Sequence, residues 1–586
     1  MDIYSYKIIG KKVIIKINKR ICETPDELLC SNLFSEIIKR CIKNLSRRGS
    51  VLLNIFSSTE IKDNDINLLT ESLKYLCKMS IKLLPDAIKG SEIFLKDKTL
   101  FNDFVEYLYN YWRSFDRFIV CVSEIDKLDK HPYRTFNETI EKLTHLVRQV
   151  YRDIQENITG NHPRVYRQVR AGSEMAAIAL RKEIPMPEVS YNKLKDIPVI
   201  RQLLLYPPLV LNPPMNKRAG FFEKIAINPL ETIDINTRDW LCYPAKVGKL
   251  IVLIYFHNKF LELGFSLCNL FELGNDNDLE KKPDAIYIFG VSDRSLDKLS
   301  TCPTVFYDDN KNNMIVAAVP NRDEFGYFGY LKKMVLTLHN IKIMKKGKFP
   351  FHGALVKIML KKDKEATILI IGDTGAGKSE TLEALRVIGE NHIRDLMIIA
   401  DDMGSLDINR NENLKGYGSE IGAFLRLDDL RPGYAFGQMD RAIIMSPNLI
   451  NSRIIIPVNS FENIIKGYDL NIVLYANNYE EIDDEHPVIE RFTTPEEALK
   501  VFREGTVMSK GTTTSVGLTH SYFANIFGPL QYKKLHDKLA EKYFKVFFKK
   551  GVFVGQIRTR LGINGYEIKG PEQAARELLK IINRNF

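Results

Sequence analysis

Apolar residues recur every three or four positions through much of the first third of the chain. Phe104, Leu108 and Tyr111 form one such series, and Ile140, Leu143, Val147, Val150, Ile154 and Ile158 form another. A spacing near 3.6 residues places these side chains on one face of a helix, so residues 1–190 are predicted to be a mainly helical N-terminal region. Over 191–345 the pattern changes to short apolar runs (Lys249 to Phe256, Ala285 to Phe289, Met314 to Val319) between the proline-rich turns Tyr206-Pro207-Pro208 and Asn212-Pro213-Pro214. That pattern predicts a strand-rich middle domain. Residues 346–586 alternate helical stretches with the runs Ala354 to Leu360, Thr367 to Ile371, Leu396 to Ala400, Ile454 to Val458 and Ile472 to Ala476, as expected of an α/β domain built on a central sheet. The basic stretch Lys345-Lys346-Gly347-Lys348 reads as a solvated linker.

A chain of 586 residues, 45% hydrophobic and 27% charged, is long and apolar enough for several cores, which excludes intrinsic disorder, collagen and the disulfide miniproteins. Its 84 basic and 73 acidic residues leave a formal charge of +11, a mild bias toward anionic ligands. No nucleic-acid module accompanies that charge, so a nucleic-acid partner is disfavoured. The eight cysteines never fall at C-x-x-C spacing and read as buried free thiols. The N-terminus lacks the apolar core of a secretory signal, and no run approaches the roughly 18 apolar residues of a membrane span. A cytoplasmic protein with no membrane partner is expected.

The most informative local feature is the apolar run ending at Ile371, followed by Gly372-Asp373-Thr374-Gly375-Ala376-Gly377-Lys378-Ser379 and the helical stretch that starts at Glu380. Glycines at this spacing let successive backbone N–H groups curl around phosphate oxygens, and the following helix adds its positive end. In this pattern Lys378 bridges the outer phosphates and the Ser379 hydroxyl ligates Mg2+. A second apolar run, Leu396 to Ala400, ends in Asp401-Asp402. Paired acids at the end of a strand suit a divalent cation, with the second acid free to accept a proton from the attacking group. His352 opens a third run and is a candidate for a metal or phosphate role.

His352-Gly353-Ala354-Leu355-Val356, the loop Gly372 to Thr381 and Ala400-Asp401-Asp402 together resemble the nucleotide site of HPr kinase/phosphorylase and of the related phosphoenolpyruvate carboxykinases. Asn451-Ser452-Arg453 followed by Ile454 to Val458 is similar to a carboxykinase segment, which implies that Arg453 touches the transferring phosphoryl group. Gly505 to Thr514 stands where that family has a lysine-bearing substrate loop, and Gly555 to Gly562, with Arg558 and Arg560, where it closes on the base. The resemblance covers about residues 349 to 570, and the family's N-terminal substrate segments are not found. The nearest basic segment, Pro163 to Gly172 with Arg164, Arg167 and Arg170, could hold an anion or form an exposed helix end.

The resemblance implies a carboxykinase-type α/β catalytic domain with ATP and Mg2+ or Mn2+ as cofactors. Lys378, Asp402, Arg453 and His352 would be catalytic. Residues 372–380 with Arg558 and Arg560 would bind nucleotide, and Ser379, Asp401, Asp402 and His352 the metal. The acceptor would be an unidentified anionic or hydroxylated substrate. A true carboxykinase acting on oxaloacetate and a non-catalytic ATP-binding regulatory protein are the alternatives.

Overall fold

The computed structural model describes residues 4–585 except 19, 59, 124–129, 166–167, 218–221, 362–363, 390–391, 410–411, 428–435 and 511–515. Arg167 and the loop residues Gly511, Thr512, Thr513 and Thr514 therefore lie outside the described residues. The chain divides into two compact units, residues 1–181 with 200–206, and residues 182–199 with 207–586.

In the N-terminal unit, strands β1 (Tyr4–Ile9), β2 (Lys12–Ile17), β3 (Asp116–Ser123), β4 (Met175–Leu180) and β5 (Val199–Leu205) form a sheet in that order. β1 pairs antiparallel with β2, while β2, β3 and β4 run parallel. Helices α1 (Asn32–Arg47), α2 (Asp63–Leu76), α3 (Lys98–Arg113) and α4 (Lys130–Thr159) bury Ile37, Leu73, Phe104, Leu108, Ile140 and Ile154 with Ile15 and Ile119 of the sheet. The region predicted as mainly helical is thus mixed α/β. Its strands are short and separated by long helices, so the helical period dominates any long stretch of sequence.

The larger unit begins with β6 (Leu209–Leu211), β7 (Glu223–Ile225), β8 (Trp240–Val247), β9 (Leu250–His257), β10 (Ala285–Val291), β11 (Val305–Asp309) and β12 (Met314–Pro320). Of these, β8-β9-β10-β12-β11-β7 lie side by side. Helix α5 (Phe328–Lys345) follows, apolar on nearly every face and buried along almost its whole length. Next come β13 (Phe349–Leu360), β14 (Glu365–Ile371), α6 (Lys378–Ile388), β15 (Ile393–Ala400), β16 (Met403–Ile408), β17 (Leu414–Gly418), β18 (Gly422–Arg426), β19 (Ile443–Met445) and β20 (Arg453–Pro457). The chain ends with β21 (Ile472–Asn477), β22 (Ile489–Arg491), the hairpin β23 (Thr506–Lys510) and β24 (Val516–His520), α7 (Lys533–Lys549), β25 (Phe553–Arg558) and α8 (Lys569–Asn585).

A second sheet has the order β17-β16-β13-β14-β21-β25-β22, with β15 also on β13. β14, β21 and β25 are parallel to one another, and β14 and β15 are both antiparallel to β13. The carboxyl ends of β14, β15, β21 and β25 therefore share one edge, the place where α/β sheets bind ligands.

The predicted boundary at residue 345 does not separate two domains. β6 pairs with β19, Gln531 donates to the Phe222 carbonyl at 3.0 Å, and the Tyr532 hydroxyl bonds Asp308, so the middle and C-terminal regions are interleaved in one unit. The basic stretch is not a free linker either, because Lys345 pairs with Asp308, Lys346 with Asp284 and Lys348 with Asp407. Sequence texture is a local property and cannot register such long-range pairing. Among the described residues no helix is long and apolar enough to cross a membrane.

Gly353 is where the second sheet tolerates no side chain. A Cβ there would lie 2.3 Å from the Ile370 carbonyl oxygen and 2.9 Å from the Ile371 Cα, both backbone atoms that cannot turn aside. Gly353→Ala is expected to lower stability by about 1–3 kcal/mol, read as a fall in the denaturant midpoint. An unchanged midpoint would contradict this packing.

Candidate functional site

β14 delivers the chain into the glycine-rich turn, and α6 starts where that turn ends. Gly377 caps the helix at φ 90°, and a Cβ on it would meet Thr559 Oγ1 at 2.5 Å, so both backbone angle and space call for glycine. Thr559, just past β25, donates its hydroxyl to the Ala376 carbonyl at 2.8 Å. Asn478, just past β21, donates to the Gly375 carbonyl at 2.9 Å and accepts from the Met508 N–H at 2.8 Å. The turn is thus braced by the two neighbouring parallel strands. Asp373 and Thr374 close a local bond, Thr374 N–H to Asp373 Oδ1 at 2.7 Å. Lys378 is buried and donates to the carbonyls of Gly372 at 2.6 Å and Asp373 at 3.0 Å. Ser379 and Glu380 are half-buried on the first turn of α6.

The histidine, the glycine-rich turn and the paired acids, far apart in sequence, meet through β13. The Gly372 N–H donates to the His352 carbonyl at 3.3 Å, and the Gly353 N–H donates to the Asp402 carbonyl at 2.9 Å. The His352 side chain then reaches Asp402, with Nε2 2.9 Å from Oδ1. Its Nδ1 bonds the Ala524 carbonyl oxygen. Both ring nitrogens are thus in contact with protein oxygens. This departs from the expectation of His352 as a metal ligand, since each nitrogen is already engaged within the protein.

Sequence reasoning missed the group that completes this cluster. Lys332, from the buried helix α5, places its ammonium 2.7 Å from Asp402 Oδ2 and 3.2 Å from Glu420 Oε1. Burial alone would push the Asp402 carboxyl up, but Lys332 and His352 outweigh it and hold the group well below the usual carboxylate range. Burial pushes Glu420 up to about 8, with Asp402 adding to the rise and Lys332 opposing it. One ammonium therefore serves two carboxyl groups, one ionised and one protonated at neutral pH. A carboxylate as strongly held as Asp402 suits holding positive charge better than taking a proton. No local motif marks Lys332 or Glu420, because their neighbours in sequence carry no recognisable chemistry.

Arg453 opens β20 directly opposite Arg426 of β18, two like charges side by side on one face. The Arg453 guanidinium lies 5.4 Å from the Phe424 ring centroid and the Lys332 ammonium 5.8 Å from the same ring, so this cationic face adjoins the Asp402 cluster. Arg453 Nε is buried with no hydrogen bond among the described residues. Arg426 was not anticipated; the cross-strand register is what reveals it.

Arg558 departs from its expected role on the nucleotide. Arg558, 1% exposed, spends its guanidinium on Glu480 and Glu490, each at 2.8 Å, and on the Pro487 carbonyl. Arg560 stacks on Tyr566 at 3.9 Å and bonds Gln573. Both fasten the end of β25. Arg164 and Arg170 belong to the N-terminal unit.

Among the described residues no three His, Cys, Asp or Glu side chains converge as a metal cage. Of the residues expected to hold a metal, Ser379 stands on the first turn of α6, and Asp401 and Asp402 lie between β15 and β16. No family model matches the chain, and no curated protein matches it.

Glu420 gives the cluster a pH signature. Its carboxyl is raised from 4.5 to about 8 in the folded protein, so the native state holds a proton that the unfolded chain has released. The stability this contributes is complete below pH 4.5 and is lost as pH rises through 8. Denaturant titrations of Glu420→Gln at pH 5, 6.5 and 8.5 are expected to show the parent losing stability relative to the variant as pH rises. Parallel profiles would contradict the shift.

Proposed function

We propose that the larger unit is a nucleotide-dependent phosphotransferase of the carboxykinase and HPr kinase type, transferring the γ-phosphoryl group of ATP to an anionic or hydroxylated acceptor. One observation carries the reading. The glycine-rich turn is joined to His352 at Gly372, and His352 to Asp402 at 2.9 Å, on the edge where the parallel strands end. A nucleotide-binding turn alone would serve many chemistries; one tied to an ionised aspartate is arranged for a triphosphate and its counter-ion.

In this reading the backbone N–H groups of residues 374–379 and the positive end of α6 cradle the phosphates. Lys378 leaves the carbonyls of Gly372 and Asp373 to meet the outer phosphates. Asp401, Asp402 and Ser379 would hold a magnesium ion, which would neutralise phosphate charge. His352 and Lys332 keep Asp402 ionised and aimed. Arg453, with its Nε unbonded, stabilises charge on the transferring group, and Arg426 beside it favours an acceptor that is itself anionic. The setting is cytoplasmic.

ADP formation is measured with oxaloacetate and, separately, with hydroxylated acids as acceptors. ADP formed only with oxaloacetate identifies a carboxykinase, and ADP formed with a hydroxyl compound identifies a kinase. Tight ATP binding with no transfer to any acceptor would overturn the phosphotransferase reading in favour of a regulatory ATP-binding protein.

Two substitutions separate the roles. Lys378→Ala is expected to weaken ATP binding and abolish turnover. Arg453→Ala is expected to leave ATP affinity nearly unchanged and lower turnover by about 10²–10³. Equal loss of both quantities in Arg453→Ala would place that residue in ground-state binding instead.

A further inference from the structure

The N-terminal unit contains a partly open cavity of about 110 Å³ that the phosphotransferase reading does not use. It lies between the sheet and helices α1 to α4, walled by Ile15, Ile37, Leu73, Leu108, Val150 and Ile154. Three of the polar groups on its lining are already engaged. Ser31 Oγ donates to the Leu28 carbonyl at 2.7 Å and accepts from the Phe34 N–H at 3.1 Å. Trp112 Nε1 donates to the Ala171 carbonyl at 2.6 Å, and the Tyr151 hydroxyl bonds Glu106. Water needs two to four polar partners to be held in such a space, and these groups offer it none. The same absence of free donors and acceptors rejects a polar ligand.

Two features favour an occupant over a packing gap. Three lining positions, Val105, Val147 and Val150, carry valine on helices whose other inward positions include leucine and isoleucine; longer side chains there would close the space. One wall is aromatic, with Tyr109 stacked on Tyr151 at 3.8 Å and Trp112 nearby, a surface on which a flat ring gains dispersion contacts. We infer that this cavity is a binding site for a small uncharged apolar molecule, about the size of a single aromatic ring.

Trp112 lines the site, and the chain has only two tryptophans, the other being Trp240 in the larger unit. Full-length protein, as parent and as Trp240→Phe, is titrated with iodobenzene, whose heavy atom quenches tryptophan emission on contact. The expected result is saturable quenching that excess benzene reverses. It should weaken about tenfold or more in Val105→Phe, equivalent to at least about 1.4 kcal/mol of lost affinity. Quenching of the parent that rises linearly without a plateau, or that benzene does not reverse, overturns the assignment whether or not either variant folds. So does a folded Val105→Phe that quenches as the parent does.

Discussion

Lys332 carries an ammonium group into the interior, 4% exposed, where only an ionised carboxylate within reach makes the position tolerable. Asp402 supplies that charge. Burial first, and repulsion from Asp402 second, leave Glu420 with its proton, so one negative charge is fixed at one known place. His352 grips the other oxygen of Asp402, and its own backbone carbonyl accepts from Gly372 at the mouth of the phosphate turn. The position of the turn relative to the aspartate thus follows from pairing a buried charge. Without that pairing β13 would still form, but nothing would aim the side chains at its end.

The turn itself is held open from the opposite side. Thr559 and Asn478 occupy the carbonyls of Ala376 and Gly375, which keeps those oxygens turned away from the space where the N–H groups point. Lys378 waits on two further carbonyls of the same turn. The shape of the turn is therefore set by contacts within the protein itself. Arg558 looks available in sequence and is not, because three acceptors from Glu480, Glu490 and Pro487 consume its fork.

What could be read from the sequence was what is local. The turn at 372–379 is legible because strand, glycines, lysine and helix are contiguous, and each apolar run named after residue 346 overlaps a strand. Asp402 was legible as an acid after a strand, and His352 as a histidine opening an apolar run. Lys332 and Glu420 were not, since a lysine in an apolar helix and a glutamate between two strands acquire meaning only from each other. Arg426 was hidden in the same way, its importance lying in the register that sets it against Arg453. In the N-terminal unit β3 and β4 escaped notice because they are brief apolar runs among long helices. The interleaving of residues 209–211 with 443–445 leaves no trace in either segment.

The contact between Thr559 and Ala376 spans 183 positions. During synthesis the glycine turn leaves the ribosome long before the threonine that props it, and the strand β25 that bears this prop is the last of the sheet to be made. The braced form of the turn is consequently a late product of translation. A nascent chain lacking those final strands would hold every residue of the glycine-rich turn and still lack the contact that braces it.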